Sequence, residues 1–455
     1  MRFSFPVFLL LLLCSQQHSV ANWFNVHGRQ DTVKRYRQVQ PMPLTARDSA
    51  IYRMVDSMEQ AEQHARETKL SEAAISGNIT LSIFNINYRK VLNYNPYEGG
   101  RLGLGLATNQ KVASFFSVGG YFSYGLKDKD WKYGSFIQLF PHWYSDTHFT
   151  IGFTKDVKET GGYSFFQDHV MGSSEWFRSL LIRQMDLVRE KEAEFSFRAL
   201  RYLKFNFYLT QTHKQVARYI YEFKDPEYSG PLSEFNFTEA GMNIKFGYNE
   251  KFIKTAGGQM VSLGTNYPMV WFNLRRGIYL LNGDFVYTKY EIKILKSFCI
   301  KPLGKSQVTV VAGLADGNVP LTNLYNGHGS YGRFSVAAEN SFATMRMDEF
   351  FSSEFASLYF MQNFGKIVQG NSFFAPELCF ATNVGYGRMK NPQFHQQFTF
   401  NTLEKGYYES GILVINLVKL GITGYGAGVF YRYGPYTYAR IASNFGYKLA
   451  LNISL

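Results

Sequence analysis

A glycine-rich stretch, Asn326-Gly-His-Gly-Ser-Tyr-Gly332, brings His328 and Ser330 close together, as some hydrolases do in their active sites. The G-x-S-x-G turn that exposes a nucleophilic serine is missing, and no strand-to-helix turn surrounds Ser330. The sequence therefore predicts a flexible loop between strands here, and not a catalytic site.

Three carboxylates, Asp348, Glu349 and Glu354, lie across a predicted turn. Paired acids can transfer protons or bind a cation, but in this position they more often meet water or a basic side chain. The sequence also lacks a phosphate-binding P-loop, a dinucleotide fingerprint and an H-E-x-x-H motif. We predict no catalytic residue, no cofactor site and no metal site.

The chain is basic, with a net charge of +13 over 455 residues. Arg275, Arg276, Lys289 and Lys293 could form a basic lumen that favours anions, or a basic rim that meets lipid phosphate. Because the chain is expected to be exported, nucleic acid is not an expected partner. Cys299 and Cys379 could form a disulfide or stay unpaired, and the sequence leaves both open.

These side chains must be positioned by strands, and the last eleven residues show the pattern most clearly. One parity is apolar throughout: Phe445, Tyr447, Leu449, Leu451, Ile453 and Leu455. The other parity holds small or polar residues, and a strand sends alternate side chains to opposite faces. We predict a barrel-closing strand that pairs with residues 77–90 and turns its apolar face to lipid.

The same two-residue period recurs from residue 75 onward, in segments close to the 9–11 residues that a tilted membrane strand needs. The aromatic share of 17% suits the aromatic girdles of such proteins. We predict an all-β fold, a transmembrane antiparallel β-barrel of about 16 strands. The predicted lumen-facing residues are Lys289, Glu291, Lys293, Glu377, Asn383, Arg432 and Lys448.

The N-terminal sequence predicts export. Residues 1–21 resemble a cleaved signal peptide, with Arg2 before an apolar run and Ser19-Val-Ala21 before the cleavage point. Residues 22–74 are predicted to form a periplasmic linker and a short amphipathic helix, and residues 75–455 the barrel. A second amphipathic helix is predicted over residues 173–191. The expected location is the outer membrane of a Gram-negative bacterium.

Several motifs resemble an uncharacterised family of outer-membrane barrels, whose members usually carry a carboxypeptidase-regulatory-like domain ahead of the barrel. The similar segments are Tyr94-Asn-Pro-Tyr-Glu-Gly-Gly-Arg-Leu-Gly-Leu-Gly105, Pro43-Leu-Thr45, Asn318-Val-Pro-Leu-Thr-Asn-Leu324 and Tyr431-Arg-Tyr-Gly-Pro435 onward. That family distantly resembles BamA/TamA-type barrels, which insert or translocate proteins. This chain departs from them because the globular N-terminal domain and the Arg-Gly-aromatic lid-loop motif are missing.

The resemblance implies a role in outer-membrane biogenesis or in protein or lipid translocation, with no enzymatic activity. The alternative is a porin-like channel for small solutes, and a third class is a barrel-embedded hydrolase or a structural surface protein. The expected partners are outer-membrane lipid and periplasmic or outer-membrane assembly proteins.

Overall fold

The computed structural model describes residues 78–141, 147–163, 165, 178–200, 202–217, 219–228, 230–254, 260–332, 334–368, 373–420 and 423–453. This part of the chain is all-β, and 19 of its strands belong to one large sheet. The first nine strands are β1 (Asn78–Leu81), β2 (Phe84–Asn87), β3 (Leu92–Asn95), β4 (Gly99–Thr108), β5 (Phe116–Gly125), β6 (Trp131–Leu139), β7 (His148–Glu159), β8 (Met185–Ala199) and β9 (Leu203–Ala217).

The next eight are β10 (Glu222–Phe223), β11 (Glu234–Gly247), β12 (Lys251–Lys254), β13 (Met260–Gly264), β14 (Met269–Gly277), β15 (Tyr287–Ile300), β16 (Gly304–Asp316) and β17 (Tyr325–Asn326). The last eight are β18 (Phe334–Val336), β19 (Phe351–Ser352), β20 (Glu354–Lys366), β21 (Glu377–Arg388), β22 (His395–Gln396), β23 (Tyr407–Leu420), β24 (Thr423–Tyr433) and β25 (Phe445–Ile453). Short 3-10 helices cover Tyr88–Lys90, Leu321–Asn323, Pro392–Phe394 and Ile441–Asn444.

The long strands form an antiparallel meander, in which each pairs with the long strands before and after it. The meander runs from β4 to β25 in chain order. The short strands in the connecting loops are not part of it. β2 and β3 both pair with β4, Phe84 with Thr108 and Leu92 with Leu102, so together they form one interrupted strand. With the fifteen strands of nine residues or more in the described part, this gives sixteen positions. The predicted antiparallel all-β fold of about 16 strands is confirmed.

The two faces of this sheet differ in chemistry because the side chains alternate. One face, here called the apolar face, exposes large side chains such as Leu102 (52% exposed) and Ile412 (54% exposed). The opposite face, here called the polar face, carries buried charges such as Lys289 and Glu291. An exposed apolar surface of this extent is unfavourable in water.

The connections at the two ends of the sheet also differ. One end, here called the long-loop end, carries the connections 218–233, 317–353 and 389–406, whereas at the short-turn end residues 301–303 suffice to join β15 to β16. At the long-loop end, β10 pairs with β22 and β17 pairs with β19. An aromatic cluster that includes Phe223, Phe285 and Tyr221 packs there.

Two predictions about individual elements are wrong. Residues 185–191, predicted to be helical as part of 173–191, belong to β8, where Leu187 pairs with Val157 and Gln215. The last strand β25 pairs with β24 on one edge, but its other edge carries β18 in parallel. No pairing joins β25 to residues 78–90 in the part that the structure describes.

Other predictions fall outside the described residues: the signal peptide 1–21, the linker and helix 22–74, and Leu455. Of the two cysteines whose pairing the sequence left open, Cys299 is exposed and Cys379 is buried, and both are free. Among the described helices, none has the length and the hydropathy needed to cross a bilayer.

Candidate functional site on the polar face

The connection between β16 and β20, residues 317–353, lies against the polar face and is here called the inner segment. Leu321, Met345 and Phe350 of this segment are fully buried. A Cβ atom on Gly329 would lie 2.6 Å from the carbonyl oxygen of Met345, so only glycine fits this close approach. The segment therefore folds back on itself and is packed, whereas the sequence predicted a flexible loop.

Lys448 of β25 holds one part of the inner segment. Its Nζ atom donates to the carbonyl oxygen of Ser330 at 2.6 Å and to Ser335 Oγ at 2.7 Å, and the residue is 2% exposed. Ser330 Oγ lies 3.0 Å from Ser341 Oγ, while His328 stacks on Tyr163. The serine and histidine of the glycine-rich stretch thus make separate structural contacts.

Arg432 of β24 holds a second part through Glu349. The Arg432 guanidinium donates to Glu349 Oε1 at 2.9 Å, and the Tyr438 hydroxyl donates to the same oxygen at 2.8 Å. Arg432 is 2% exposed and also lies over the ring of Tyr407. A guanidinium stays charged when buried, so it needs a carboxylate beside it to offset the cost of leaving water.

Glu409 of β23 binds the backbone of the inner segment. Its carboxylate accepts from the Ala343 and Thr344 N–H groups at 2.7 and 2.8 Å, and from the Thr344 hydroxyl at 2.6 Å. Asn383 of β21 donates to the same carboxylate at 2.6 Å. Glu409 is 0% exposed, so four donors satisfy a fully buried charge.

A third group of charges holds the start of the inner segment. Lys214 of β9 donates to the Thr322 carbonyl oxygen at 2.8 Å, and Lys289 of β15 donates to the Asn323 carbonyl oxygen at 3.1 Å. The Asn323 amide donates to Glu239 of β11 at 3.0 Å. Glu291 lies 3.4 Å from the Lys289 ammonium and accepts from Asn273.

Acidic groups near the loop after β7 complete the arrangement. Asn326 donates to Glu159 Oε1 at 2.8 Å, and Arg178 donates to the Gly329 carbonyl oxygen at 3.1 Å. Burial, together with the negative charge of Glu159, raises the pKa of Asp348 to about 8. Asp348 is therefore protonated at neutral pH.

The inner segment also reaches the outer edge of β25. Phe334, Ser335 and Val336 of β18 pair with Tyr447, Lys448 and Leu449. The Ala337 N–H group extends the pairing by donating to the Leu449 carbonyl oxygen at 2.7 Å. This short parallel pairing occupies the strand edge that the sequence assigned to residues 77–90.

The structure places each predicted lumen-facing residue on the polar face, but not in one group. Glu291 and Lys289 lie together, Asn383 joins Glu409, and Arg432 and Lys448 bind the inner segment separately. Lys293 lies over the Trp271 ring, and Glu377 accepts from Asn363 and Asn416.

Sequence reasoning missed the roles of Glu409, Glu239 and Lys214 in holding the inner segment. Each is a charged residue whose side chain lies on the polar face near the long-loop end of its strand. A search of the sequence for charged residues at such positions could have identified all three. Of the three predicted acids, Glu349 binds Arg432, Glu354 pairs with Arg388 at 2.8 Å, and Asp348 lies beside Glu159. They do not form one cluster, and within the described ranges no group of three or more His, Cys, Asp or Glu residues could hold a metal ion.

No protein-family model matches this chain, and no curated protein sequence does. Solved structures do resemble it, including the following three. BamA from Haemophilus ducreyi lacking POTRA domains 1–3 is 8% identical with a TM-score of 0.48, covering 79% of this chain and 69% of that one. CdiB from Acinetobacter baumannii is 10% identical with a TM-score of 0.41, covering 80% and 58%. CdiB from Escherichia coli is 8% identical with a TM-score of 0.44, covering 80% and 61%.

With TM-scores below 0.5, these likenesses do not assign the chain to a family. It spans less than two thirds of the length of either CdiB chain. The family resemblance of the sequence motifs stays a prediction.

Proposed function

We propose that this chain is an integral outer-membrane β-barrel protein that acts in envelope biogenesis, or in translocation of protein or lipid, and is not an enzyme. The expected location is a Gram-negative outer membrane after cleavage of residues 1–21. The expected partners are outer-membrane lipid and periplasmic or outer-membrane assembly proteins. The observation that carries the proposal is the inner segment, which is held against the polar face and bound to the edge of the last strand.

The apolar face supports a membrane location. Strands that expose Leu102, Ile137, Ile151 and Ile412 at more than half of their surface would be unfavourable in water, whereas lipid covers such a face without cost. Strands that satisfy their backbone groups by pairing with neighbours are one of the two structures that can cross a bilayer.

The inner segment argues against a passive porin. A porin needs water along its polar face, but here Lys214, Lys289, Arg432 and Lys448 bind protein atoms of the inner segment. Breaking the ion pair between Arg432 and Glu349 leaves an uncompensated buried charge, which costs roughly 3–5 kcal/mol. The lysine contacts add to this cost, so we expect the inner segment to leave the polar face only rarely by thermal motion.

The edge of β25 supports a role in handling other chains. Its pairing with β24 extends from Phe445 to Ile453, whereas β18 covers only Tyr447 to Leu449 on the other edge. A strand edge that is covered by a short segment can exchange it for a longer strand, because the new backbone hydrogen bonds replace the old ones. We propose that β18 leaves this edge when a substrate strand or lipid passes.

A disulfide lock tests the proposal. In a Cys299→Ser/Cys379→Ser background, Phe334→Cys/Tyr447→Cys would join β18 to β25, because these positions are register partners. The expected result is a fall in the levels of other outer-membrane proteins to those of a depletion strain, with recovery on reduction. The matched control, Val429→Cys/Tyr447→Cys, joins β24 to β25 and should leave the levels normal. A locked protein that supports normal levels would overturn the proposal.

Single-channel recording separates the porin alternative. The purified protein in a planar bilayer should show only small or brief openings, since the inner segment stays bound. Large and stable openings would replace the biogenesis proposal with a porin function. Hydrolysis of lipid or peptide that Ser330→Ala abolishes would contradict the proposal that the chain is not an enzyme.

A further inference from the structure

The outward side of β7, β8 and β9 changes from apolar to basic within two residues. Ile151, Ala193 and Leu209 form an apolar row in cross-strand register. Two residues nearer the long-loop end, Phe153, Lys191 and Gln211 form the next row. The row after that consists of Lys155, Arg189 and His213. The basic side chains therefore lie directly beyond the apolar band, and we call Lys155, Arg189 and Lys191 the outward cations.

The outward cations repel one another. Lys155 and Arg189 are directly opposed, a placement in which like charges destabilise a sheet because their Cβ atoms lie about 5 Å apart. Asp130 compensates Lys155 at 2.9 Å. Arg189 and Lys191 are exposed, and neither forms an ion pair or a side-chain hydrogen bond with the described part of the chain. An external anion would remove this repulsion.

A cavity lies at the same place. Its volume is about 280 Å³, and its lining includes the basic residues Lys132, Lys155, Arg189 and His213 and the acids Asp130, Asp156 and Glu234. Asn236 Oδ1 accepts from His213 Nδ1 at 2.8 Å, and Glu234 lies 3.6 Å from Nε2. These contacts orient the imidazole and leave the Arg189 guanidinium as the strongest donor without a protein partner. A guanidinium can bind a phosphate group through two parallel hydrogen bonds.

We propose that Arg189, Lys191 and Lys155 bind the phosphate of a lipid headgroup in the leaflet at the long-loop end. This inference rests on the proposed membrane location of the apolar face. Since the cations begin where the apolar rows end, they lie at headgroup depth when that face is in lipid. Each cation near a membrane surface contributes about 1 kcal/mol of attraction to anionic lipid, equivalent to about fivefold in affinity.

A lipid titration tests this site. Native mass spectrometry of the full chain in neutral detergent would measure binding of dioleoyl phosphatidic acid, with dioleoylglycerol as the same lipid without phosphate. The wild type should retain phosphatidic acid and not dioleoylglycerol. Arg189→Gln/Lys191→Gln should weaken the binding by about 30-fold, since two cations are lost. The matched control, Lys390→Gln/Lys405→Gln, removes the same charge from loops at the same end and should change it less than twofold.

Several outcomes would overturn the inference. Equal retention of dioleoylglycerol would show that the acyl chains alone are bound. Equal weakening by the control pair would show that net charge decides the affinity. Displacement of the lipid by millimolar inorganic phosphate would identify a site for the free anion and not for a headgroup.

The titration is independent of the cellular role. It uses purified protein, so lipid binding can hold when the disulfide lock leaves outer-membrane protein levels normal. Conversely, the lock can abolish assembly while Arg189→Gln/Lys191→Gln leaves lipid affinity unchanged, and then only the lipid site is wrong.

Discussion

The two faces of the large sheet differ in how specific their side-chain contacts are. Side chains on the apolar face, such as Ile412, need only be apolar, because any similar side chain meets the same surroundings. On the polar face, Glu409, Arg432 and Lys448 each bind particular atoms of the inner segment. The first face therefore tolerates substitution and the second does not. Apolar packing of Leu321, Met345 and Phe350 also holds the inner segment, and the buried charges add contacts to particular atoms.

The largest expected effect is loss of a buried ion pair on the polar face. Arg432→Met leaves Glu349, whose side chain is 10% exposed, without its cation. We expect a loss of about 4 kcal/mol in the free energy of unfolding, because an unpaired buried charge costs this much. Urea unfolding in detergent, followed by tryptophan fluorescence, would measure it.

A double variant sharpens this result. Arg432→Met/Glu349→Met removes both charges and should recover most of the lost stability. If the double variant is as unstable as Arg432→Met, the loss comes from packing around Phe350 and Tyr407 and not from the unpaired carboxylate.

Two adjacent residues of β23 compare the faces directly. Leu413 is 6% exposed and packs with Phe430 and Ala343, whereas Ile412 is 54% exposed. We expect Leu413→Ala to cost about 3 kcal/mol and Ile412→Ala less than about 1 kcal/mol, because only the first leaves a cavity. The same unfolding measurement applies, and equal losses would contradict the assignment of the two faces.

The smallest expected effect is a pH dependence at the long-loop end. Burial lowers the pKa of His395 to about 4, and Tyr221 lies 2.9 Å from its Nδ1 atom. The unfolded histidine titrates near 6.5, so the unfolded chain binds more protons between these values. The stability is present above about pH 6.5 and is lost as the pH falls through 4, by about 2–3 kcal/mol at pH 4.5.

Hydrogen exchange around Phe223 and Gln396, whose strands pair here, would report the loosening. His395→Gln should remove this pH dependence. A dependence that persists in this variant would assign the titration to another group.

The sheet was predictable because its two-residue period is long and regular, as in β4, β11 and β25. The helix predicted over 173–191 is wrong at residues 185–191, which belong to β8, and the reason is physical. Arg189 and Lys191 stand on the outward parity of β8, so they interrupt the apolar alternation that marks a strand. The adjacent Leu187 and Val188 then look like a continuation of the helical pattern of Leu180 and Leu181. The two outward cations of β8, Arg189 and Lys191, are therefore the reason that the sequence did not predict this strand.

The inner segment was not predictable in position. Its contacts depend on which strands approach Ser330, Thr344 and Glu349, and no periodicity within 317–353 encodes those partners. The charged residues of the polar face were predictable as inward, but their partners were not. The pairing of β18 with β25 was not predictable either. Residues 334–336 are too few to show a strand period, yet they occupy the edge that the sequence assigned to residues 77–90.

The order of contacts along the chain has a kinetic consequence. Neighbouring long strands such as β4 and β5 can pair as local hairpins, which close quickly because short loops lose little entropy. The hydrogen bonds of the inner segment join residues far apart in sequence: Lys448 and Ser330 are separated by 118 positions, and Arg178 and Gly329 by 151. Since Lys448 belongs to β25, the inner segment can lock only after β25 has joined the sheet. Folding should therefore show a fast formation of strands followed by a slower step in which the inner segment docks.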